Sequence, residues 1–259
     1  MRRVLVLNPN TSESVTGLLR QHATAMAMRS ASAAGPVEVH AVTARLGAPY
    51  IACESSYAVA GHAVLDAWAA AQEQGPFHAV LIGCFGDPGL HALREASPVP
   101  VIGLAEAAFG EAAAMGRFAV VTGGERWRPM LQRLASGLGH EQALAGIHTV
   151  APSGAELARD PEGARELLRA ACVEAARRFG ADAVILGGAG LAGQAAALRA
   201  HLPVPLVDSV EAGLSWLLAA AQAVPSVPPG VQPSGLAWTG VSPEMARLAT
   251  RAGPQDLPR

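Results

Sequence analysis

Two stretches of the chain share one frame: AVLIGCFGDPG at 79–89 and AVILGGAGLAG at 183–193. In each, an apolar run enters a glycine-rich turn, and the turns part company where Cys84 is answered by Gly188. A thiol can act as nucleophile, acid or base, and its protonation decides which. A turn at the carboxyl end of a strand, beside the amino end of the next helix, offers free N–H groups and a positive dipole end. These bind anions and lower a thiol pKa from about 8.5 toward neutrality. Cys84 is therefore expected to work as a thiolate beside a bound carboxylate or oxyanion.

The remaining chemistry-bearing residues narrow the field. Cys53, Cys84 and Cys172 are odd in number and widely spaced, so free thiols are expected rather than a disulfide framework or a zinc knuckle. Cys172 lies among Ala and Leu at helical spacing and reads as core, whereas Cys53, in PYIACESSY, could reach the rim of a cleft. The eight histidines form no i, i+4 pair and no HExxH, so no metal site is expected. All 19 basic residues are Arg. Without Lys there is no pyridoxal phosphate Schiff base, no Schiff-base aldolase chemistry and no complete Walker A loop.

Charge and hydropathy exclude further classes. A net charge of −2 without an Arg-dense patch gives no footprint for nucleic acid or an anionic membrane. No apolar run approaches the roughly 18 to 20 residues of a membrane span. The start MRRVLVLNPN turns polar too soon for a secretory signal, so a cytoplasmic protein acting on a small molecule is expected.

Positioning such turns is a matter of βα units. Short apolar runs at 4–7, 37–42, 79–82, 99–102, 118–121, 148–151, 183–186 and 204–207 alternate with Ala/Leu-rich segments of helical period. One such segment, PEGARELLRAACVEAARRFG, carries Pro161 near its start and Gly180 at its end. The order repeats: PVPVIGLAEA at 98–107 is echoed by PVPLVDSVEA at 203–212, and VLVLNPN at 4–10 more weakly by FAVVTGG at 118–124. We therefore expect an α/β chain of two pseudo-symmetric lobes, each a parallel sheet flanked by helices, with the active site between them. The first lobe is expected to comprise 1–97 plus 206–225 and the second 98–205. Residues 226–259 read as a Pro/Gly-rich C-terminal tail, in which PEMARLAT could form a short helix and Trp238 could pack on a lobe or a second subunit. Ala-rich helices such as EAAFGEAAAMG offer flat faces, so a homo-oligomer is expected.

Gly188, Gly190 and Gly193 also spell GxGxxG after a strand, with Asp208 further on, the features of a dinucleotide fingerprint. The same frame at Cys84, Gly86 and Gly89 is more simply one duplicated loop in which Cys became Gly. Asp208 with Glu211 three residues on reads as a helix cap and its partner.

VLVLNPNTS, GCFGDPGL, PVPVIGLAEAA and VPLVDSVEA, in that order over nearly the whole chain, resemble the Asp/Glu racemase superfamily and within it the hydantoin racemases. The resemblance implies two α/β lobes, no cofactor, and two cysteines facing each other across the substrate, one removing the proton from Cα and the other returning one. Carried over by motif, it implies Cys84 as the first-lobe acid/base. Phe85, Gly86, Thr122, Gly123 and Ala189 become contacts for a carboxylate or ring carbonyl, and Asn8 orients the substrate. Asp87 and Asn10 are expected to cap their helices. Tyr50, Cys53, Trp127 and the TGGER loop are where substrate choice is expected to lie.

The second cysteine of the family pattern is expected in LGCAG, and this chain reads LGGAG at 186–190. Racemisation with water or another group as the second proton carrier is one consequence. A decarboxylation needing a single protonation, as in the arylmalonate decarboxylases of the superfamily, is another. There the lone cysteine sits in the second-lobe position, so the hand of the product would be reversed. Nucleophilic addition by Cys84, as in the superfamily's maleate isomerases, and a non-catalytic carboxylate binder complete the alternatives.

Overall fold

In the computed structural model, which describes residues 1–30, 35–152, 156–157, 160–223 and 237–250, the apolar runs form two four-stranded parallel sheets. The first contains β1 (Arg2–Asn8), β2 (Val37–Thr43), β3 (Ala79–Ile82) and β4 (Val101–Gly103) in the order β2-β1-β3-β4. The second contains β5 (Phe118–Gly123), β6 (Leu144–Val150), β7 (Ala183–Gly187) and β8 (Leu206–Asp208) in the order β6-β5-β7-β8. Every residue of β3, β5 and β7 is buried. Their unbroken apolar runs are what strands covered on both faces require. Edge strand β2 is half-buried throughout.

Local signals start and stop the helices. Helix α1 (Glu13–Arg29) begins at Ser12, whose Oγ accepts from the Val15 N–H, and α2 (Glu54–Ala71) begins at Cys53. They are followed by α3 (Leu90–Ala96), α4 (Leu104–Ala113), α5 (Trp127–Gly137) and α6 (Pro161–Phe179). Asp160 caps α6, Pro161 opens it, and left-handed Gly180 closes it. Helices α7 (Gln194–Leu198), α8 (Ser209–Gln222) and α9 (Pro243–Thr250) complete the set. Among the described residues no helix is long and apolar enough to cross a membrane.

Strands and helices divide differently between the lobes. Strand β4, inside the expected second lobe 98–205, pairs with β3 in the first sheet, and β8, inside the expected first-lobe segment 206–225, pairs with β7 in the second. The helices that follow cross over: α4 packs on β7, β8 and α8, while α8 packs on β1 and β3. The 97/98 and 205/206 boundaries therefore follow the helices and miss the strands. Strands β4 and β8 also start later than the runs at 99 and 204, because Pro98, Pro100, Pro203 and Pro205 have no N–H to donate. Pairing opens instead with the carbonyls of Pro100 and Pro205, which accept from Val80 and Val184 at 2.9 Å.

The crossing makes the interior continuous. One buried cluster contains Val4 and Leu81 of the first sheet together with Phe118 and Ile185 of the second. Phe109 of α4 stacks on Phe118 with ring centroids 5.4 Å apart and meets the edge of Phe85 at 5.9 Å.

Of the expected tail 226–259, residues 226–236 and 251–259 lie outside the described residues. The part between them includes the short helix: α9 returns to α2, buries Met245, and places Glu244 against Arg45, which also holds buried Asp66. Trp238 is exposed.

Candidate active site

The carboxyl ends of both sheets open onto one cavity of about 510 Å³, within the size range of small-molecule sites. Cys84 and Phe85 line it from the turn after β3, Gly188 and Ala189 from the turn after β7, and Thr122 and Gly123 from the end of β5. The duplicated turns keep a common backbone device: Gly89 and Gly193, each preceding its short helix, have φ of +76° and +80°.

Two expected contacts do not line the cavity. Asn8 is fully buried behind it, its Nδ2 donating to Asn10 Oδ1 at 2.9 Å and to Ser12 O and Thr16 Oγ1 at 3.0 Å. It organises the turn, and Asn10 presents itself to the cavity instead. Asn10 does not cap α1, since that place belongs to Ser12; its Oδ1 accepts from the Ser12 N–H at 2.9 Å. Gly86 is displaced from the cavity by its own neighbours. Trp127 of the second lobe lies on its bare Cα, so close that a Cβ would come within 2.4 Å of the ring, and the Tyr57 hydroxyl donates to its carbonyl at 2.7 Å. Phe85 makes the reciprocal crossing, its ring lying where a side chain on Gly187 would be.

The protonation of Cys84 differs from expectation for a geometric reason. The next helix starts only at Leu90 and is 7 residues long, so the thiol does not meet a helix N-terminus. Cys84 is 8% exposed, and burial, aided by the negative charge of Asp87, pushes its thiol above the ordinary range. The resting residue is a neutral thiol carrying a proton. Asp87 likewise caps a different helix from the one expected: its carboxylate accepts from the N–H groups of Ala105 at 2.9 Å and Glu106 at 2.8 Å, at the start of α4. Burial nevertheless raises it to about 7, against the pull of those two donors.

On the other side, Gly188 has φ +147°, and its N–H donates to Ser209 Oγ at 3.1 Å. The dinucleotide reading finds no support there. Asp208, 3% exposed, accepts from Gly193, Val210 and Glu211 and has no face turned to a ribose. Among the described residues no group of three or more His, Cys, Asp or Glu could hold a metal ion.

Several residues of the wall escaped sequence reasoning. Val15 and Leu18 of α1, together with Pro49 and Ile51, line the cavity beside Tyr50 and Trp127. The signal for Val15 and Leu18 was their i, i+3 spacing on a helix whose core-facing row is Thr16, Leu19 and Ala23. Cys53 lies outside the cavity lining; its Sγ sits 3.2 Å from Ser55 Oγ. Within TGGER, Thr122 and Gly123 reach the cavity, and Tyr50 ties down the latter by donating to its carbonyl at 3.3 Å.

The model of the Asp/Glu/hydantoin racemase family matches residues 4–217. The chain belongs to that family. Hydantoin racemase of Pseudomonas sp. (strain NS671) is 34% identical over 215 residues, 83% of this chain and 84% of its own length. The structure of allantoin racemase from Klebsiella pneumoniae superposes with a TM-score of 0.75 at 33% identity, covering 87% of this chain and 94% of that one. Family membership places the chain among racemase-type isomerases. A crystal structure of arylmalonate decarboxylase, 19% identical, shares the fold with a TM-score of 0.56, covering 88% of this chain and 96% of that one.

Proposed function

We propose that the chain is a cofactor-independent isomerase in which Cys84 passes a proton to and from the carbon alpha to a carboxylate or hydantoin carbonyl, with no thiol on the opposite face at Gly188. The observation that carries this reading is a buried thiol in the wall of a cavity shared by the carboxyl ends of both sheets. A Cα–H beside a carbonyl is weakly acidic, so its removal needs both a base and stabilisation of the enolate oxygen. The Thr122 hydroxyl and the N–H groups of the two turns, other than those of Asp87, Gly188 and Leu191, which already have acceptors, are the donors at hand for that oxygen.

For one enantiomer, Cys84 first loses its proton to a buffer base and, as thiolate, takes the Cα proton. A water on the Gly188 side protonates the enolate from the other face, and the hydroxide left behind is neutralised by the protonated buffer base. The opposite enantiomer uses the same groups in reverse order. Lacking a positioned second thiol, this route is slower by a factor on the order of 10² to 10⁴ than one with two.

Incubating wild type and Cys84→Ser in D₂O with 5-substituted hydantoins, amino acids and arylmalonates, and following deuterium entry and chirality by NMR, tests the reading. Cys84-dependent deuterium uptake with loss of optical activity is expected. Uptake by Cys84→Ser at the wild-type rate would overturn it. The lone thiol also favours a second reading, decarboxylation of a disubstituted malonate: carbon dioxide leaves, Cys84 protonates the enediolate from one face, and a single hand of product accumulates. Thermal stabilisation by these compounds without exchange would point instead to a carboxylate-binding protein without turnover.

A further inference from the structure

We infer that Tyr57 is a positioning residue for the reaction: its hydroxyl locks the turn that carries Cys84, so that the thiol meets the reacting carbon from a fixed place. This rests on the proposed proton transfer by Cys84. Tyr57 itself stands outside the cavity lining and acts through the backbone.

The first argument is the path from the phenol to the thiol. One planar peptide joins Gly86 to Asp87, and both of its polar groups are engaged. Its carbonyl accepts from the Tyr57 hydroxyl at 2.7 Å, and its N–H donates to the Cys84 carbonyl at 3.1 Å. A single rigid unit therefore connects a side chain of α2 with the backbone of Cys84. Hydrogen bonds in such a chain polarise one another, so the phenol tightens the bond that closes the turn. Burial, with Cys84 and Asp87 nearby, raises the phenol above its ordinary range and keeps it a donor at neutral pH.

The second argument is that this peptide needs holding. Gly86 has φ of +155° and Asp87 of +50°. The latter is unfavourable for a residue with a Cβ and persists only where the surroundings fix it. Beyond the peptide, the Asp87 carboxylate is anchored on the N–H groups of Ala105 and Glu106; Tyr57 holds the Gly86 side. Tyr57 is braced in turn. Its ring meets Trp127 edge-on with centroids 6.3 Å apart, and Glu54, one turn earlier on α2, accepts from both terminal nitrogens of Arg133 on α5 at 2.7 and 2.9 Å. The brace spans the two lobes.

Tyr57→Phe removes the hydroxyl and keeps the ring beside Trp127. It is compared with wild type by three measurements. The first is deuterium uptake at Cα, using whichever of 5-benzylhydantoin, allantoin and phenylalanine the wild type exchanges fastest. The second is iodoacetamide labelling of each cysteine, read by mass spectrometry, and the third is exchange of the Asp87 amide, read by NMR. We expect kcat to fall about 10- to 100-fold with KM within about threefold, because the thiol is displaced while the cavity wall is untouched. Cys84 should label at least about fivefold faster, and the Asp87 amide should exchange at least about tenfold faster, as the turn opens. Cys172, fully buried in α6, reports on loosening of the whole fold and should label at the wild-type rate. A kcat within twofold of wild type, a rise in KM alone, or an unchanged Asp87 amide would overturn the inference. So would a parallel rise at Cys84 and Cys172, which would make Tyr57 a support of the fold in general. If the wild type exchanges none of the three compounds, proton transfer by Cys84 fails, and labelling and amide exchange alone decide the lock: a local rise at Cys84 and Asp87 sustains it, and any other pattern removes it.

Discussion

Asp87 and Gly103 together make one helix cap. The Asp87 carboxylate fills the room beside Gly103, where a Cβ would come within 2.2 Å of its Cγ, and from there it accepts the first N–H groups of α4. In the second half of the repeat the carboxylate has moved: Asp208 stands where Gly103 does and caps α8 itself, while Leu191 stands where Asp87 does. Asp87 is the one described non-glycine residue with positive φ, at +50°. The turn that carries Cys84 is thus pinned to β4 and α4 by a side chain that its counterpart lacks.

Exchanging the two residues tests that complementarity. Gly103→Asp alone should destabilise by about 2–4 kcal/mol, since two carboxylates would compete for one place. Asp87→Gly alone should cost about 1–2 kcal/mol through the lost cap, eased by the freer backbone. The double variant should be more stable than the additive sum by at least about 1 kcal/mol in urea unfolding; strict additivity would show that the residues are not coupled.

A cysteine at 188 should convert a one-thiol site into a two-thiol one. A Cβ there would meet Leu191 at 3.4 Å, an ordinary contact, but φ of +147° suits glycine. Gly188→Cys is therefore expected to lose about 1–2 kcal/mol, lowering Tm by about 2–8 °C, while raising the racemisation rate of a turned-over hydantoin at least about tenfold. Polarimetry reads the rate, and a variant no faster than wild type would count against proton delivery from that face.

Cys53 should be the reactive thiol of the free protein. Hydrogen bonds from Ser55 and Ser56 lower it to about 6, whereas Cys84 is held protonated by burial. Iodoacetamide labelling followed by mass spectrometry should show Cys53 modification rising through about pH 6 and levelling near neutrality, with Cys84 labelled more slowly throughout. A Cys53 rate still climbing steeply above pH 8 would contradict this.

The clamp on α9 should be acid-sensitive. Burial alone would raise the Asp66 carboxyl, but the Arg45 hydrogen bonds at 2.8 and 3.0 Å, with Ser242, hold it below the ordinary range. A carboxylate whose folded value lies below its unfolded value near 3.9 stabilises fully above about pH 4 and loses that contribution as pH falls through the folded value. Asp66→Asn should cost about 1–3 kcal/mol at pH 7, and its difference from wild type in chemical denaturation should shrink below about pH 4. A difference independent of pH would mean that packing, not charge, holds the helix.

The central strands β1, β3, β5 and β7 and both glycine turns were legible because buried parallel strands are unbroken apolar runs and the chain repeats its own pattern, whereas the half-buried edge strand β6 starts at Leu144, four residues before the run at 148–151. Cys84 stood out for the same reason, as the one position where the repeated turns differ in chemistry. Its protonation did not: proximity to a helix in sequence is no measure of where that helix begins, and here it begins at Leu90. Asn8, expected at the substrate, and Asn10, expected as a helix cap, take other places, because in a tight turn a shift of two residues decides which amide faces the cavity and which is consumed within the turn. Leu18 and Ile51 carry no chemical mark and become wall residues only through the packing of α1 and the 49–51 loop over the cavity. The exchange of β4 and β8 relative to their helices was hidden because pairing partners lie far apart along the chain.

That exchange bears on how such a chain can come apart or come to be. Each sheet is roofed by a helix encoded with the other sheet's last strand, so a fragment holding a single repeat would fold with its α4 or α8 reaching for a surface that is not there. Two such fragments could satisfy each other by trading helices. A chain of one repeat is therefore expected to need a second copy, each lending its helix to the other's sheet.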